Sequence, residues 1–325
     1  MKIIVTGAAG FVGAHLAHRL LERGDRVIGV DEFNAYYDPA LKQARADRLD
    51  RHGQFTMMRM DVADAGSFLD LARREAPDLI VHLAAQAGVR YSIDNPFAYE
   101  RSNLRGHLSV LEAARHVESV RHLVYASSSS VYGDRPISKA GSGFREDDPA
   151  DEPVSLYAAT KRSCELMSSA YARLYGLAQS GLRFFTVYGP MGRPDMAYFS
   201  FTQKILAGEP IEVFGEGRMA RDFTYIDDIV DGVLGVIDHP PASGEARLFN
   251  IGDSQPVPLM EMIETLERAL GREAVKIMRP MQPGDVTATF ADISRLRDLC
   301  GYGPKVSLQM GLPRFVTWYR EHYRV

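Results

Sequence analysis

The sequence is poor in cysteine and contains no recognisable metal-binding spacing. Cys164 and Cys300 are the only cysteines among its 325 residues. A chain of this length buries a large core without a disulfide, so we expect both thiols to be reduced and buried. The nine histidines are scattered, with no HxxxH or CxxC cluster. The sequence therefore predicts no protein-ligated metal.

Long apolar runs and long runs of one charge are also missing. The longest largely apolar stretches, such as residues 80–85 (which include His82), are much shorter than the roughly 20 residues needed to span a bilayer. The net charge is −4 and no long basic run occurs, so neither nucleic acid nor a membrane is expected as a main partner. Because no secretory apolar segment with a cleavage site follows Lys2, we expect a mature, cytoplasmic N-terminus.

A strand, a glycine-rich turn and a helix follow one another at the N-terminus. Lys2–Thr6 is apolar and β-branched, and Gly7, Gly10 and Gly13 come next, before a helical pattern that ends at Gly24. In this context the first glycine permits a tight turn and the second lets the backbone approach a pyrophosphate. The third lets helix and strand pack closely, and the helix N-terminus offers N–H groups to phosphates.

Asp31 ends the second predicted strand, which covers Arg26–Val30. Its distance from the first glycine is close to the ~20 residues expected of a dinucleotide site. A carboxylate at this place binds both ribose hydroxyls of NAD and repels the 2′-phosphate of NADP. A lone glycine-rich turn in an unrelated protein is the alternative, but the combination favours NAD.

Strands and helices alternate through six units, which predicts an α/β Rossmann domain with a doubly wound parallel sheet. The later strands are predicted at Phe55–Met60, Leu79–Leu83, His122–Ala126 and Leu182–Val187, with one long helix over Phe97–His116. We assign residues 1–187 to NAD binding, with segments around 223–252 returning to this domain. Residues 188–325 form a smaller mixed α/β substrate domain, with strands predicted at Ile211–Phe214, Phe223–Ile226, Leu248–Ile251, Val275–Met278 and Thr287–Ala291.

Polar or small residues follow several of these strands, at the edge where an open parallel sheet binds ligands. Asp61 faces an adenine amino group or is a plain turn residue. Ala84 begins a run of small residues that suits close approach of a ligand, and Arg90, at the loop tip, binds an anionic substrate or is an ordinary loop arginine. Asn103 is an unusual residue inside a helix and is expected to hydrogen-bond nearby backbone.

Four consecutive serines, residues 127–130, follow the fifth strand. Either they form a serine-rich turn, or one of them shares a proton with a substrate hydroxyl and with Tyr157. The stretch from Asp134 to Pro153 is polar and loop-like. A helix then begins near Val154–Ser155 and runs to about Tyr175, with Gly176 as its cap.

Tyr157 and Lys161 are four residues apart in this helix and so lie on one face. An ammonium group beside a phenol favours the phenolate, which makes the pair a candidate base near neutral pH. The spacing alone is weak, because a solvated pair on a helix surface has the same pattern. The glycine turn, Asp31 and the serines favour the interpretation of this pair as a catalytic base.

Taken together, these motifs resemble the extended short-chain dehydrogenase/reductases of the NAD-dependent nucleotide-sugar epimerase and dehydratase kind, over essentially the whole chain. The matching segments are residues 6–13, Asp31, Asp61-Val62, Ser127–Gly133, Tyr157–Lys161, Arg183–Pro190 and Arg221–Asp228. The resemblance implies NAD as cofactor, a UDP-sugar substrate and a homodimer formed through the helices around 97–116 and 155–175.

The resemblance also implies roles for individual residues. Tyr157 is the base, Ser128 is the catalytic hydroxyl, and Lys161 supports both the base and the nicotinamide ribose. The implied NAD-binding set is Gly7, Gly10, Phe11, Val12, Asp31, Asn34, Asp61, Val62, Leu83, Ala84, Ala85, Gln86, Asn103, Ser127, Tyr157, Lys161 and Tyr188. The implied substrate-binding set is Arg90, Ser128, Ser129, Ser130, Thr186, Arg193, Val213, Phe214, Arg221 and Asp285.

Two segments narrow the resemblance to the UDP-glucuronate 4-epimerases, namely Asp31–Arg45 and Gly189–Met196. Sugar 4,6-dehydratases carry an Asp-Glu pair directly after the catalytic Thr, where this chain has Ser129 and Ser130, and decarboxylases of UDP-glucuronate carry a carboxylate near that position. Simple glucose/galactose epimerases have Asn at the position of Thr186. The implied reaction is reversible C4 epimerisation of UDP-glucuronate to UDP-galacturonate.

Three alternatives remain open at this point: a UDP-glucose 4-epimerase, a UDP-glucuronate decarboxylase, and a non-catalytic NAD-sensing scaffold. Such scaffolds lack the Tyr/Lys pair, whereas this chain has Ser128, Tyr157 and Lys161.

Overall fold

The computed structural model describes residues 1–134, 143–281 and 288–325. The chain divides into two compact units. Unit 1 comprises Met1–Gly133, Pro149–Arg183 and Val230–Phe249, and unit 2 comprises Asp134–Asp148, Phe184–Ile229 and Asn250–Val325. Asp285, predicted to contact a ribose, and residues 135–142 of the predicted polar loop lie outside the described residues.

The strands of both units are numbered in chain order. They are β1 Lys2–Thr6, β2 Arg26–Asp31, β3 Phe55–Arg59, β4 Leu79–His82, β5 His122–Ser128, β6 Gln179–Phe184, β7 Thr186–Tyr188, β8 Ile211–Phe214, β9 Ala220–Tyr225, β10 Ala246–Ile251, β11 Pro256–Pro258, β12 Lys276–Arg279 and β13 Ala288–Thr289.

The helices are numbered in the same way. They are α1 Phe11–Glu22, α2 Pro39–Leu49, α3 Ala65–Glu75, α4 Tyr91–Asp94, α5 Pro96–Tyr99, α6 Gly106–His116, α7 Leu156–Tyr175, α8 Ala197–Ala207, α9 Ile226–Ile237, α10 Leu259–Leu270, α11 Ser294–Cys300 and α12 Leu308–Tyr323. A π-helical segment covers Glu100–Arg105, and short 3₁₀ helices cover Ser129–Tyr132 and Gly215–Gly217.

Unit 1 is built on a seven-stranded sheet in the order β10-β6-β5-β4-β1-β2-β3. The neighbouring strands from β3 to β5 pair in parallel, for example with Ile4 beside both Ile28 and Ile80. These three side chains are almost completely buried, because helices cover both faces of a parallel sheet and its strands must be apolar throughout. The predicted Rossmann fold class is confirmed.

The sixth predicted strand, Leu182–Val187, is two strands in the structure. β6 belongs to the seven-stranded sheet, whereas β7 pairs in parallel with β9. Phe185 lies between them, and its N–H donates to the carbonyl of Ile251 at 3.1 Å. The single-strand prediction was wrong because this change of partner depends on a residue far along the chain.

The helix predicted over Phe97–His116 is also interrupted. The π-helical segment separates α5 from α6 and contains Asn103. π-helical turns are rare and often lie at functional sites. Asn103 within this segment hydrogen-bonds other backbone groups, as described below.

Unit 2 contains the remaining small sheets. β9 pairs with β11 in antiparallel fashion and with β13 in parallel, and β8 pairs in parallel with β12. Asp222 lies at its centre, fully buried. Its carboxylate accepts hydrogen bonds from the N–H groups of Ala291, Asp253 and Ser254 and from the Thr224 hydroxyl. One aspartate thus joins three separate segments of unit 2.

Both cysteines are free, as predicted. Cys164 is buried, but Cys300 is only half-buried, so the prediction of burial was wrong for the second thiol. Its place on the short α11 leaves one side of the residue open. No described helix is long and apolar enough to cross a membrane.

Candidate active site

The glycine turn between β1 and α1 has the close contacts that its sequence predicts. Gly7 has a φ of +70°, and a Cβ on it would lie 2.8 Å from the Ala84 nitrogen. A Cβ on Gly13 would lie 2.1 Å from the Gly7 carbonyl oxygen. Because neither position tolerates a side chain, helix and strand pack directly against the turn.

The N-terminus of α1 is free of side-chain caps. Gly10 is its N-cap residue and, among the described residues, no side chain hydrogen-bonds the cap. Phe11, the first helical residue, is buried. A helix end with open N–H groups beside a glycine turn suits the pyrophosphate of a dinucleotide.

Asp31 links the end of β2 to this turn. It is 8% exposed, and its carboxylate accepts hydrogen bonds from the N–H groups of Ala9 at 3.0 Å and Phe33 at 2.9 Å. The carboxylate is therefore held beside the turn, as a ribose-binding group must be. The glycine turn, the uncapped N-terminus of α1 and the Asp31 carboxylate together fit NAD.

Cationic side chains of α2 lie next to this turn. Arg45 is fully buried and donates to the Ala9 carbonyl at 3.0 Å and the Tyr37 hydroxyl at 2.6 Å. Lys42 donates to the Asn34 side-chain oxygen at 2.7 Å. Asn34, a predicted cofactor residue, thus holds Lys42 in place.

Asp61 lies just beyond β3 and is held on both sides. One carboxylate oxygen accepts the Ala63 N–H at 2.8 Å, and the other pairs with Arg101 at 2.6 Å. The following residue, Val62, is buried. These bonds are those expected of a turn aspartate. A role for Asp61 at the adenine amino group stays a prediction.

The end of β4 is tied to the end of β1. The Leu83 N–H donates to the Thr6 carbonyl at 3.2 Å, and the Ala84 N–H donates to the Thr6 hydroxyl at 3.1 Å. These two bonds fix the start of the segment Leu83, Ala84 and Ala85, whose backbone is predicted to bind the cofactor. Arg90 is exposed at the start of α4.

Asn103 connects this loop to α7. Its side-chain oxygen accepts the Gln86 N–H at 2.8 Å, and its side-chain nitrogen donates to the Gln86 carbonyl at 3.1 Å and the Thr160 hydroxyl at 2.9 Å. The Thr160 hydroxyl in turn donates to the Tyr157 carbonyl at 2.8 Å. The prediction that Asn103 hydrogen-bonds backbone is confirmed.

The helix that carries Tyr157 and Lys161 has the predicted ends. Ser155 caps α7 by accepting the Ala158 N–H at 3.1 Å, and Gly176 ends it with a φ of 72°. Lys161 is buried and donates to the Ala126 carbonyl at 2.8 Å. This bond fixes the helix at the end of β5.

Ser128 follows Ala126 by two residues and ends β5. Its hydroxyl oxygen accepts the Ser130 N–H at 3.2 Å and lies 3.0 Å from the Ser130 hydroxyl, while Ser129 begins the 3₁₀ helix. Since Lys161 holds the backbone next to Ser128 and Tyr157 lies one helical turn before Lys161, the three predicted catalytic residues share one edge of the sheet.

An aromatic neighbour packs against Tyr157. The ring of Tyr99 lies edge-on at 6.1 Å between centroids, and its own hydroxyl donates to the carbonyl oxygens of Ala87 and Gly88. The buried Tyr99 therefore supports one side of the Tyr157 ring without competing for its hydroxyl.

Two buried histidines lie behind Lys161. His82 shares a 2.8 Å hydrogen bond with the Thr6 hydroxyl, and His107 shares one of 2.9 Å with the Ser168 hydroxyl, with ring centroids 5.4 Å apart. Burial and, to a smaller extent, the nearby Lys161 ammonium lower the pKa of His107 to about 3. Burial likewise lowers the pKa of His82. Both rings are neutral at pH 7.

Acid should therefore destabilise unit 1. Between pH 6.5 and about 3 the unfolded state binds a proton at His107 that the folded state does not. The free energy of unfolding then falls as pH decreases through this window, by up to about 1.4 kcal/mol per pH unit for each such histidine. His107→Gln should show a smaller loss between pH 7 and 5 in urea denaturation. The exposed His239→Gln is the control, and equal losses in both variants would contradict this account.

The predicted substrate residues of unit 2 have varied environments. Thr186 is half-buried in β7 and Val213 is fully buried in β8, next to the half-buried Phe214. Arg193 donates to both carboxylate oxygens of Asp195, and Arg221 donates to the Ala220 carbonyl at 2.9 Å.

Tyr188, a predicted cofactor residue, is fully buried in unit 2. Its hydroxyl donates to the Ser307 carbonyl at 3.0 Å, and burial raises its pKa. The side chain is thus engaged within unit 2, and a role toward NAD stays a prediction.

One buried polar group near the site was missed in the sequence. Glu165 lies one helical turn after Lys161 and binds Ser127 and Arg183. The signal was an acidic residue on the same helix face as Tyr157 and Lys161, where a solvated glutamate is not expected. No cluster of potential metal ligands occurs within residues 1–134, 143–281 and 288–325.

The fold and the glycine turn define a dinucleotide-dependent protein, and the Tyr157/Lys161 pair is its candidate base. The family model for the NAD dependent epimerase/dehydratase family matches residues 3–252. The chain belongs to this family.

Several similar proteins are named UDP-glucuronate 4-epimerase. A probable UDP-glucuronate 4-epimerase from Rhizobium meliloti is 45% identical over 340 residues, covering 100% of this chain and 98% of that protein. UDP-glucuronate 4-epimerase 4 from Arabidopsis thaliana is 46% identical over 337 residues, covering 99% and 76%. The crystal structure of UDP-glucuronic acid 4-epimerase from Bacillus cereus with UDP-glucuronic acid and NAD has 34% identity and a TM-score of 0.91, covering 99% of this chain and 100% of that chain.

Proposed function

We propose that this protein catalyses the reversible C4 epimerisation of UDP-glucuronate to UDP-galacturonate, with NAD as a bound cofactor. The observation that carries the proposal is the placement of Ser128, Tyr157 and Lys161 at one sheet edge, in a chain similar to several proteins named UDP-glucuronate 4-epimerase. Because the glycine turn and Tyr157 both belong to unit 1, the cofactor site and the candidate base share one sheet.

The catalytic residues have distinct tasks. The Tyr157 hydroxyl oxygen takes the proton of the sugar 4-OH, and the Ser128 hydroxyl orients that group. The Lys161 ammonium stabilises the phenolate form of Tyr157 by its charge. When bound, NAD would supply reversible hydride acceptance at C4, so that no external reductant would be consumed.

Inversion requires the 4-keto sugar to present its other face. Rotation about the bond between sugar and pyrophosphate achieves this, after which Tyr157 returns its proton to the new hydroxyl. The 4-keto uronate is a β-keto acid and loses CO₂ readily. Hydrogen bonds from Ser129, Ser130 and Thr186, with Arg193, hold the carboxylate and suppress this loss.

The remaining predicted contacts stay part of this proposal. Residues 1–187 hold NAD and residues 188–325 hold most of the UDP-sugar. For the substrate, we assign Val213 and Phe214 to the uracil, Arg193 and Arg221 to the pyrophosphate and nearby acidic groups, and Asp285 to the ribose, with Arg90 as a further anion contact.

The serines favour this reaction over its close rivals. A decarboxylase is expected to have a carboxylate near Ser128, yet Ser129 and Ser130 occupy the next two positions. A neutral-sugar epimerase needs no groups for a sugar carboxylate. A non-catalytic scaffold would not need a buried lysine fixed to β5, as Lys161 is.

Product analysis tests the proposal. The purified protein is incubated with UDP-glucuronate or UDP-glucose, without added NAD, and the products are identified by NMR. We expect UDP-galacturonate from the first and little turnover of the second. UDP-xylose as the main product, or turnover of UDP-glucose alone, would contradict the proposal.

We also propose a cytoplasmic homodimer. The cytoplasmic location is supported by the two free thiols. The dimer is supported by exposed apolar residues on α6 and α7: Leu108, Leu166 and Leu174 are 41%, 57% and 70% exposed. On α7 the two leucines share one face with Ala159, Ser163 and Ala170.

Charges on this face should separate the dimer. Leu166→Glu with Leu174→Glu would place carboxylates in the interface, where burial is costly. We expect the wild type to have twice the 36.1 kDa chain mass in light scattering, and the double variant to have the mass of one chain. Met310→Glu, at a residue that is 50% exposed in unit 2, is the control. A monomeric wild type, or a dimeric double variant, would contradict the proposal.

A further inference from the structure

We infer that Glu165 and Arg183 are positioning residues, which hold the Ser127–Tyr132 segment so that Ser128 stays aligned with Tyr157. The inference rests on the proposed function. It gives a role in that reaction to two residues that are not proposed to contact the sugar. It concerns unit 1 alone.

The two side chains form a buried, two-pronged ion pair. Arg183 donates to both carboxylate oxygens of Glu165, each at 2.8 Å, and each side chain is 1% exposed. Arg162 adds a third bond at 3.0 Å. Burial by itself raises the pKa of Glu165, but the bonds from Arg183, Ser127 and Arg162 lower it below its ordinary value. Glu165 is therefore an anion with a fixed orientation.

This pair holds the serine segment at both ends. At the start, the Ser127 hydroxyl donates to Glu165 at 2.6 Å. At the end, the Arg183 guanidinium lies 4.7 Å from the ring centroid of the buried Tyr132. The residues between, including Ser128, cannot shift as a group without breaking one of these contacts.

The alternation of strand side chains separates the two serines. Ser127 is buried, whereas Ser128 is half-buried at the last position of β5. Consecutive side chains on a strand point to opposite faces. Anchoring Ser127 to Glu165 on one face therefore fixes the direction of the Ser128 hydroxyl on the other.

The anchor belongs to the same helix as the base. Tyr157, Lys161 and Glu165 follow at intervals of four on α7 and lie along one side of it. Lys161 binds the Ala126 carbonyl and Glu165 binds the adjacent Ser127 hydroxyl. Two successive turns of α7 thus hydrogen-bond two successive residues of β5. Tyr157 lies on the turn of α7 that precedes them.

A pair of apolar side chains would fill this space but would not fix the orientation of the serine segment. Buried ion pairs add little net stability compared with apolar residues of the same volume. Hydrogen bonds add direction, which dispersion contacts lack. The use of a charged pair here is accounted for by alignment of the serine segment.

Ser127→Ala is the cleanest test, because it removes one bond and leaves Glu165 paired with both arginines. Misalignment of reacting groups by about 1 Å can lower rates about 100-fold, so we expect kcat with UDP-glucuronate to fall about 10-fold to 100-fold. KM should stay near wild type, because no contact with the sugar is removed. Because proton transfer between Ser128 and Tyr157 becomes slower, the solvent deuterium isotope effect on kcat should rise. Ser127→Thr, which keeps the hydroxyl, should recover most of kcat.

Ser109→Ala is the matched control. Ser109 is equally buried, at 2% exposure, and donates one hydrogen bond to the Arg105 carbonyl at 2.9 Å. It should lose similar stability and keep both kcat and the isotope effect. Glu165→Gln is a second variant, which keeps the side-chain shape but removes the charge.

The outcomes separate the two proposals. An inactive wild type would overturn the proposed function, and this role with it. An active wild type with unchanged kcat in Ser127→Ala would overturn the positioning role alone. A lower kcat with an unchanged isotope effect, accompanied by loss of stability, would show a purely structural role and overturn it as well.

Discussion

Replacing Tyr157 by Phe should lower kcat for UDP-glucuronate epimerisation by about 10²–10⁴-fold, the usual contribution of a positioned acid-base group. The substitution removes only the hydroxyl, and the ring keeps its edge-on contact with Tyr99. Folding and NAD content should therefore remain as in the wild type. The measurement is kcat by product NMR or coupled assay, together with the thermal midpoint and the NAD released on denaturation.

Tyr171→Phe is the matched control on the same helix. The Tyr171 hydroxyl donates to Glu112 and lies well beyond Lys161 along α7. Phe at this position also removes only a tyrosine hydroxyl, and kcat should stay near the wild-type value. If Tyr157→Phe kept nearly full kcat while Tyr171→Phe did the same, Tyr157 would not be the base.

Gly13→Ala should weaken the binding of NAD and lower the NAD content of the purified protein. The new Cβ would lie 2.1 Å from the Gly7 carbonyl oxygen and 2.8 Å from its carbon, both backbone atoms. The turn or α1 must then shift, and such overpacking costs typically about 1–3 kcal/mol. Since about 1.4 kcal/mol corresponds to tenfold in affinity, NAD binding should weaken roughly 5-fold to 150-fold.

Gly53→Ala provides the comparison, because a Cβ at Gly53 would meet nothing within 4 Å. NAD content is measured on the denatured protein, and affinity by titration of the apoprotein. Gly53→Ala should match the wild type in both. Wild-type NAD content and affinity in Gly13→Ala would show that the close packing of helix and turn is not needed for the cofactor.

The parts of the fold that follow from neighbouring residues could be predicted. The β1 strand, its glycine turn and α1 are specified within the first 22 residues, and the ends of α7 are set by Ser155 and Gly176. Such local signals act through backbone conformation and capping, which do not depend on distant partners.

Features set by distant partners could not be predicted. The break between β6 and β7 depends on a hydrogen bond from Phe185 to Ile251. The π-helical turn is accounted for by the bonds that Asn103 makes to Gln86 and Thr160. A sequence shows the residue types but not which distant groups they meet.

In the candidate site, too, features set by neighbouring residues could be predicted and features set by distant partners could not. The spacing of Tyr157 and Lys161 was visible, whereas the pairing of Glu165 with Arg183 appears only once β6 lies beside β5. The Arg193–Asp195 pair was available locally, at a separation of two residues.

Isotope tracing tests the central claim most directly. The protein is incubated without added NAD with UDP-glucuronate that carries deuterium at C4, and the products are analysed by NMR and mass spectrometry. Oxidation and reduction at C4 within one active site predict UDP-galacturonate that retains the deuterium at C4. Loss of the deuterium to solvent, or UDP-xylose as the main product, would contradict the account.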